Sequence, residues 1–489
     1  MTDSNRLQLT AVVETTIGTT PSTPRMLKVR TTGESLSFQP QMISSNEIRS
    51  DRMNADPILV GQTNGGGVNI EFHYPVQNSG LDAFIASAMV AAWSNTPTRD
   101  NDGTADSVIT DVAATTGVMT VSSIGGTFVV GHLIRNTNFT NSGNNGLFRI
   151  TTGSAAAPAV GTSIFTNETA PPATARIKVV GFQGASGDIT ATATGLGSTS
   201  LDFTTLGIAV GQWVKISAEG GAYSFATSAL AAWVRVTAIT ATALTFDNRP
   251  SGWTTDAGTS KTIRVYFGDR IINGTTLSAT TIERGFLGQA TPTYIAQAGM
   301  AANEWSMSIQ TAQAVTGSFT FMGMSGTSST TSLDASPDAA PDTATYPIMA
   351  AGTNVGRVAE AGSSLSSPNW VSSLSFRINN NLAMLNSIDS SAAVGHRKGE
   401  AAVTVNMDTY FGSDSLYAKL IAGTPTNVNA RVAKNSQAVV FTFPRLTYMS
   451  GNPSASSKNT DVRAQFVAQS SYDSTTGAHM CVDRFEYYA

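Results

Sequence analysis

Residues 68–74 read Val-Asn-Ile-Glu-Phe-His-Tyr, and their side chains alternate between apolar and polar. Successive side chains of an extended strand point to opposite faces, so this run predicts a strand with one face on a core. The same two-residue period returns at residues 403–408, which read Val-Thr-Val-Asn-Met-Asp, and again at residues 439–443. The positions that would lie on the polar face are Asn69, Glu71, His73, Thr404, Asn406 and Asp408.

Two segments carry a helical pattern instead. In residues 79–93 and again in residues 413–422, apolar side chains recur at helical spacing on one side. Because each stripe is one-sided, each helix is expected to lie on a sheet. The candidate N-caps are Ser79, which has Asp82 three residues later, for the first helix and Ser413 or Ser415 for the second.

The spacing of strands and helices indicates an internal duplication. Val68 precedes Leu81 by 13 residues, and Val403 precedes Leu416 by 13 residues. A Leu-Ser-Phe triplet lies upstream of each strand, at residues 36–38 and 374–376, three residues out of that register. Long polar loops, at about 40–66 and about 379–401, follow the triplets. Each unit is therefore predicted as strand, long loop, strand, helix, strand, strand.

An insertion at residues 100–265 interrupts the first unit and contains its own repeat. Val130-Gly131-His132-Leu133 matches Val210-Gly211-Gln212-Trp213, which predicts two small β modules of about 80 residues each. The predicted fold class is mainly β: two tandem β-sandwich or barrel units, each with one flanking helix, plus the inserted modules. The predicted boundaries are 1–99 with 266–325 for the first unit, 326–345 for a Ser-, Thr-, Asp- and Pro-rich linker, and 346–489 for the second unit.

Composition excludes several classes of protein. Charged residues make up 13% of the 489 residues, against about 25% in ordinary soluble domains. No run of 18 apolar residues predicts a membrane span, and the N-terminus has no secretory signal pattern. The single cysteine, Cys481, cannot form an internal disulfide. What remains is a large β-rich protein that acts by shape.

The charged clusters have a functional and a structural interpretation. The cluster at residues 47–52 could be a catalytic or metal patch, but an exposed salt-bridge loop is favoured. The basic triplet at residues 396–398 is too short for a nucleic-acid patch, so a contact at a loop tip is favoured. Trp213 and Trp233 could form a carbohydrate platform, although core packing is favoured. The candidate contact residues are Glu47, Arg49, Asp51, Arg52, His396, Arg397 and Lys398.

No motif predicts catalysis. A Ser-His-Asp pattern in a G-x-S-x-G setting and an H-E-x-x-H motif are both missing, so no catalytic, cofactor-binding or metal-ligating residue is predicted. Gly65-Gly66-Gly67 lacks the Lys-Ser/Thr of a phosphate-binding loop and precedes a strand.

Several stretches together resemble the tail tube (major tail) proteins of long-tailed bacteriophages. Near the N-terminus these are residues 14–21 (Glu-Thr-Thr-Ile-Gly-Thr-Thr-Pro), 32–36 (Thr-Gly-Glu-Ser-Leu) and 45–52 (Ser-Asn-Glu-Ile-Arg-Ser-Asp-Arg). Near the C-terminus, residues 472–478 followed by Val482-Asp483-Arg484 resemble the end of the same family. The resemblance covers residues 1–99 and about 266–489, and the insertion resembles the variable decoration modules of some members.

The resemblance implies subunits that pair through a hairpin into a continuous inner β-barrel. It also implies rings that stack into a tube, with the long loop reaching the adjacent ring. Rings of this family usually hold six tube folds, so two folds per chain imply a homotrimer with pseudo-sixfold symmetry. Four strands per fold then give 24 strands, a backbone diameter of about 48 Å and a bore of about 40 Å, wide enough for a DNA duplex of roughly 20 Å.

Further expectations follow from that resemblance. DNA would pass through the bore without specific binding, and the polar strand positions would line the lumen or an interface. The protein would belong to the virion of a phage with a long, non-contractile tail (a siphovirus) and would assemble in the host cytoplasm. Its partners would be itself, adjacent rings, the tape measure protein and the tail terminator and distal tail proteins, with no membrane and no cofactor.

Two other classes stay open. A β-rich surface adhesin or glycan-binding virion protein would form no rings and would contact its ligand through the insertion. A glycan-cleaving tail protein would carry two carboxylates about 5–9.5 Å apart in a cleft.

Overall fold

A computed structural model describes residues 4–103, 108–455 and 457–489. Residues 1–3 of the predicted first unit, residues 104–107 of the predicted insertion and residue 456 lie outside this description. The described chain is mainly β and its strand ladders are antiparallel, which confirms the predicted fold class.

The strands are numbered in chain order. Before the insertion they are β1 (Leu7–Val13), β2 (Leu27–Lys28), β3 (Gly33–Glu34), β4 (Ser37–Ile43) and β5 (Ile58–Glu71). Those of the insertion are β6 (Thr98–Asp100), β7 (Ile109–Val112), β8 (Met119–Val121), β9 (His132–Thr137), β10 (Gly146–Arg149), β11 (Glu168–Thr169), β12 (Arg176–Gln183), β13 (Thr190–Ala191), β14 (Gly195–Gly197), β15 (Trp213–Ile216), β16 (Trp233–Ile239), β17 (Ala243–Asp247) and β18 (Arg264–Tyr266). The first unit resumes with β19 (Asp269–Ile272), β20 (Thr280–Phe286), β21 (Thr293–Gln310), β22 (Thr316–Met322) and β23 (Ser325–Ser329). The second unit contains β24 (Val355–Glu360), β25 (Ser363–Ser364), β26 (Val371–Asn379), β27 (Ala383–Leu385), β28 (Gly395–Arg397), β29 (Ala402–Tyr410), β30 (Thr426–Lys434), β31 (Gln437–Ser450), β32 (Pro453–Ser454), β33 (Arg463–Ser470) and β34 (Cys481–Phe485).

The two α-helices occupy the predicted segments but are capped differently. In α1 (Gly80–Met89), Ser79 is the N-cap and its Oγ accepts a hydrogen bond from the Asp82 N–H at 3.3 Å, as predicted. In α2 (Ser415–Ala422), the N-cap position is Asp414, which makes no side-chain cap bond. The predicted serine cap is wrong because Asn369 Nδ2 takes both neighbouring hydroxyls, donating to Ser413 and Ser415 at 2.7 and 3.1 Å.

The same four-strand order occurs in both units. In the first unit it is β4-β5-β22-β21, and in the second it is β26-β29-β33-β31. Strand β21 also pairs with β26, so the two sets form one sheet of eight strands, hereafter the eight-strand sheet. Strands β21 and β31 continue into two flanking sheets, ordered β1-β20-β21-β23 and β24-β30-β31-β34.

Two β-bulges lie at matching places in the units. Between Thr280↔Met300 and Ile282↔Gln297, strand β21 advances three residues while β20 advances two. The identical step separates Thr426↔Leu446 from Val428↔Phe443 in the second unit. A second irregularity recurs between Ala302 and Glu304 and between Tyr448 and Ser450. Strands β21 and β31 therefore correspond at a constant step of 146 residues, as from Met300 to Leu446.

The residue match inferred from the sequence duplication is wrong by four positions. Gly67 pairs with Thr320, and the counterpart of Thr320 is Val467, which pairs with Asn406. Val68 therefore corresponds to Met407 rather than to Val403. A shift by an even number of residues keeps the same side chains on the same face, so alternation alone could not determine the register.

The two predicted loops also differ from expectation. Residues 58–66, expected in a loop, belong to β5, which pairs with β4, so the connecting loop shrinks to residues 44–57. In the second unit, β27 and β28 pair within the expected loop. Both segments are therefore protruding hairpins.

One hydrophobic core lies between the eight-strand sheet and the flanking sheets. It contains residues of both units, such as Phe84 of α1, Trp305 of β21 and Phe441 of β31. Trp305 stacks on Phe319 at 5.7 Å and meets Phe376 edge to face at 5.1 Å across the joint between the units. The two units are therefore packed as one body.

The two repeats of the insertion likewise share one sheet and one core. Strand β12 of the first repeat pairs with β18 of the second in the middle of that sheet. The matching turns are built alike: the Val129 N–H donates to His132 Nδ1 at 3.2 Å, and the Ala209 N–H donates to Gln212 Oε1 at 2.9 Å. Gly131 and Gly211 precede these residues with φ of 93° and 87°, a left-handed conformation that favours glycine.

Candidate functional site: a polar sheet face, two hairpins and a docked insertion

The eight-strand sheet turns one face to the core and leaves the other open. On β21, Trp305, Met307 and Ile309 are buried, while the residues between them face outward. The same alternation holds on the neighbouring strands. The open face carries Asn69, Glu304, Ser306, Ser308, Gln310, Thr316, Ser318, Thr320, Ser373, Ser375, Arg377, Thr404, Asn406, Asp408, Arg463, Gln465 and Gln469. It is built mainly from hydroxyl and amide side chains.

Two guanidinium groups on this face are paired with carboxylates across strands. Arg377 of β26 bonds to Glu304 of β21, and Arg463 of β33 lies 2.9 Å from Asp408 of β29. Each pair joins one guanidinium to one carboxylate, so both are neutral overall.

Most of the predicted strand positions lie on this open face. Asn69, Thr404, Asn406 and Asp408 alternate there with buried neighbours, and Glu71 ends β5 at its rim.

His73 does not share that face, so its prediction as a lumen or interface residue is wrong. Strand β5 ends at Glu71, and His73 is 2% exposed. Burial, with the nearby Arg30 guanidinium, lowers the pKa of His73 to about 4. The sequence alternation continues past the end of the strand, where it no longer reports an orientation.

The hairpin β4–β5 ends in the predicted charged cluster. Glu47, Arg49, Asp51 and Arg52 are all exposed, and Arg49 Nε donates to Asp51 Oδ1 at 3.0 Å. That hydrogen bond holds the pKa of Asp51 below its usual value. Apolar side chains surround the cluster, although no sequence pattern predicted them as contact residues; they are exposed at Met42, Ile43, Ile48, Met53, Ile58, Leu59 and Val60. A surface of this kind marks a contact site.

The basic triplet lies at the base of the second hairpin, not at its tip as expected. His396 Nε2 lies 3.0 Å from the Met322 carbonyl oxygen, and Lys398 Nζ donates to the Thr275 carbonyl oxygen. These two residues hold the hairpin against the first unit, while Arg397 is exposed. Burial lowers the pKa of His396. The tip region instead exposes Leu385, Ile388 and Val394.

An aromatic patch lies at the opposite end of the eight-strand sheet. Both β5 and β29 begin near the hairpins and run away from them. Where β29 ends, Trp370 and Tyr410 are 55% and 36% exposed and meet edge to face at 6.5 Å. Arg463 lies over the Tyr410 ring at 5.4 Å, and Val462 is also exposed. Apolar surface is thus presented at both ends of the sheet.

The insertion packs on the far side of a flanking sheet from the open polar face. Side chains of β31 alternate between the main core, as Val439 and Phe441 do, and a separate cluster formed with the insertion, as Val440 does. Trp213 is buried in that second cluster, and its Nε1 donates to Thr442 Oγ1 at 2.9 Å.

Trp233 belongs to the same contact. It meets Phe485 and Tyr488 edge to face at 4.8 and 5.0 Å, with Arg431 over its ring at 4.6 Å. Both tryptophans therefore join the insertion to the second unit.

A buried ion cluster, formed by Lys178, Asp269, Arg484 and Asp82, adds a polar connection. Asp269 of β19 accepts from Lys178 Nζ of the insertion and from Arg484 Nε of β34, both at 2.9 Å. Arg484 also bonds to Asp82 of α1. Although burial by itself raises the pKa of Asp269, the two cations hold it well below its usual range. One carboxylate thus ties the insertion to both units.

Within the described part of the chain, no helix is long and apolar enough to cross a membrane. The described residues likewise contain no group of three or more His, Cys, Asp or Glu side chains placed to hold a metal ion.

A comparison with protein-family models matches the chain to a model described as phage tail tube protein. The match covers residues 4–259 and 219–470, two overlapping segments that together take in both units and the insertion. A comparison with curated proteins finds no match.

Proposed function

The chain belongs to the phage tail tube protein family and is a structural subunit of a tail tube; from this membership we propose that three copies close into a ring and that stacked rings form a conduit for DNA. The observation that carries the proposal is the identical four-strand order of the two units, joined as one eight-strand sheet. A sheet with two ends leaves unpaired backbone groups at each edge, and closure into a ring removes them.

The number of strands supports a trimer with pseudo-sixfold symmetry over a hexamer. Eight strands per chain give 24 strands in a trimer, and the matched bulges give both units the same curvature. At about 4.8 Å between strands and a tilt near 40°, 24 strands enclose a bore of about 40 Å after side chains are included. A DNA duplex of roughly 20 Å passes through such a bore.

The open polar face suits the wall of that bore. Arginine and lysine side chains bind phosphate by releasing counterions from DNA. On this face Arg377 and Arg463 are already paired with carboxylates, and most of the surrounding groups are neutral, although Arg445 near the end of the face is exposed. DNA would therefore slide past without specific binding during genome ejection.

Stacking would use the two apolar ends of the sheet. The exposed hairpin tips, with Ile48 and Ile388 at their ends, would contact the aromatic patch at Trp370 and Tyr410 on the adjacent ring. The predicted salt-bridge residues at 47–52 would then lie at this contact. Buried apolar surface would supply most of the stability of the contact, since exposed ion pairs contribute little.

The insertion would project from the outside of the tube. It packs against the side of a flanking sheet that faces away from the open polar face. The same orientation argues against the carbohydrate platform at Trp213 and Trp233, since both pack against the second unit.

The wider setting follows from the family. We place the protein in the virion of a phage with a long, non-contractile tail, assembled in the host cytoplasm. Its partners would be adjacent rings, the tape measure protein and the terminator and distal tail proteins. Its role would be structural, without catalysis or cofactor.

Electron microscopy of the purified chain tests the proposal. Averages viewed along the tube axis should show rings with three outer lobes, one per insertion, around an open bore. Six lobes would contradict the trimer, and monomers at all protein concentrations would refute ring formation. Binding of a glycan array by such monomers would instead support the adhesin alternative.

A further inference from the structure

We infer that the joint between neighbouring chains copies the joint inside each chain, so that residues 449–452 of one copy pair antiparallel with residues 37–40 of the next. The inference rests on the proposed ring and specifies which edges close it and in which register. It identifies the partner of both open edges as a second copy of this chain.

The internal joint provides the template. Strands β21 and β26 pair from Glu304↔Asn379 to Gln310↔Ser373. The Asn380 N–H donates to the Asn303 carbonyl oxygen at 2.8 Å, and the Thr311 N–H donates to the Ser372 carbonyl oxygen at 3.1 Å, in the same register. Because hydrogen-bonded and non-bonded pairs alternate in an antiparallel ladder, the odd-numbered residues of β21 bond across this joint.

The matched bulges identify which residues of β31, at the other end of the sheet, correspond to the β21 side of the joint. With a step of 146 residues, Glu304 corresponds to Ser450, on the outer edge of β31. Strand β32 keeps the same register against β33, as in Pro453↔Ala464, so this edge continues to residue 454. Among the described residues, the other side of this edge has no strand paired with it from residue 447 onward.

The β26 side of the joint corresponds to β4 in the first unit. Ser35 donates its N–H to the Gly67 carbonyl oxygen at 2.8 Å, and Gly67 corresponds to Asn406, which pairs with Ser375. Ser35 and Ser375 are therefore equivalent, and Gln39 takes the place of Asn379. In this register Gln39 of one chain lies opposite Ser450 of the next.

Backbone groups at the open edge of β4 are suited to this pairing. Since Ser35 bonds to β5, the even-numbered residues of β4 point to the open edge. Phe38 then faces Gly451, which lies past the bulge of β31, and the two residues are able to exchange two hydrogen bonds. Pro40, two residues further along β4, has no N–H and offers only its carbonyl oxygen.

The register also accounts for the place where the ladder stops. The Leu36 N–H already donates to Glu34 Oε2, and its carbonyl oxygen accepts from Arg284 Nη1, both at 2.6 Å. Opposite Leu36 the register places Pro453, which has no N–H to donate. A residue that needs no partner thus faces a residue that has no donor. The joint between chains is consequently shorter than the internal one.

Disulfide trapping tests the register. Gln39→Cys combined with Ser450→Cys places two exposed thiols at a non-hydrogen-bonded pair, the closer type in an antiparallel ladder. The native Cys481 is buried and stays out of the reaction. Mild oxidation of assembled tubes should give covalent dimers and trimers on non-reducing gels, ending at the trimer because the ring is closed.

A second pair and a shifted pair make the test decisive. Ser37→Cys with Asn452→Cys lies in the same register and should cross-link as well. Gln41→Cys with Ser450→Cys is displaced by two residues and should give at least tenfold less product. Tubes in which the shifted pair links preferentially, or in which neither matched pair links, would overturn this register while leaving the tube itself intact. A wild-type chain that forms no rings would instead refute the proposed function, and with it the joint.

Discussion

Replacing Asp269 by asparagine should loosen the insertion from the two units. Asp269 is 1% exposed and accepts hydrogen bonds from Lys178, Arg484 and the Thr96 N–H. Removing one partner of a buried ion pair costs about 3–5 kcal/mol, because the remaining charge stays buried. The asparagine side chain can still accept a hydrogen bond from Thr96, and Arg484 still bonds to Asp82. We therefore expect the lower end of that range, a loss of about 3 kcal/mol of unfolding free energy.

Denaturant unfolding followed by tryptophan fluorescence provides the assay, since Trp93 lies 4.0 Å from Arg484. The matched control is Asp51→Asn, which also removes a carboxylate from an arginine but at an exposed loop, and it should leave the unfolding curve unchanged. Asp269→Asn combined with Lys178→Met should lower the unfolding free energy by less than the sum of the two single effects, because both substitutions remove the same Lys178–Asp269 interaction. Strict additivity, or a loss no greater than that of the control, would refute the argument that these charges act as a cluster.

The remaining predictions concern pH, ring closure and stacking. Burial raises the pKa of Asp483 to about 7 against the opposing effect of Arg270; the folded state then holds a proton that the unfolded state releases above about pH 4, so this group lowers stability as pH rises from 4 to 7. Between pH 5 and pH 8 the unfolding free energy of wild type should therefore fall by roughly 3 kcal/mol relative to that of Asp483→Asn, and a pH-independent difference between the two proteins would contradict this. Pro40→Ala supplies the missing N–H at each of the three chain-to-chain joints, worth about 1 kcal/mol per joint, so sedimentation should detect rings at roughly tenfold lower protein concentration, whereas unchanged association would argue against this edge. Ile48→Ser removes apolar surface at a hairpin tip, so micrographs should show rings but few long tubes, while the equally polar change Ile164→Ser on the insertion should leave tube length unaltered.

Several elements could be predicted because their signals are local. The alternation at residues 68–71 and 403–408 identified the strands and their polar faces, and the positions of Asn69, Thr404 and Asn406 follow from it. The cap at Ser79 was recognisable because its partner, Asp82, is three residues away. The repeated turn before Leu133 and Trp213 likewise lies within a few residues.

Other features depend on contacts between distant parts of the chain. His73 continues the alternation in sequence, yet the strand ends at Glu71 and the side chain is buried. The charges of the ion cluster come from Lys178, Asp269 and Arg484, which no local motif connects.

The amino-acid sequence by itself determined the β class, the two helices, the duplication and which side chains share a face, because a two-residue or 3.6-residue period is set by the geometry of a single element. Tertiary structure alone decided the register of the two units, the packing of Trp213 against the second unit and the pairing of Arg377 with Glu304. A shift of two or four residues preserves every local pattern, and only the bulges and packing between strands far apart in the chain distinguish one register from another.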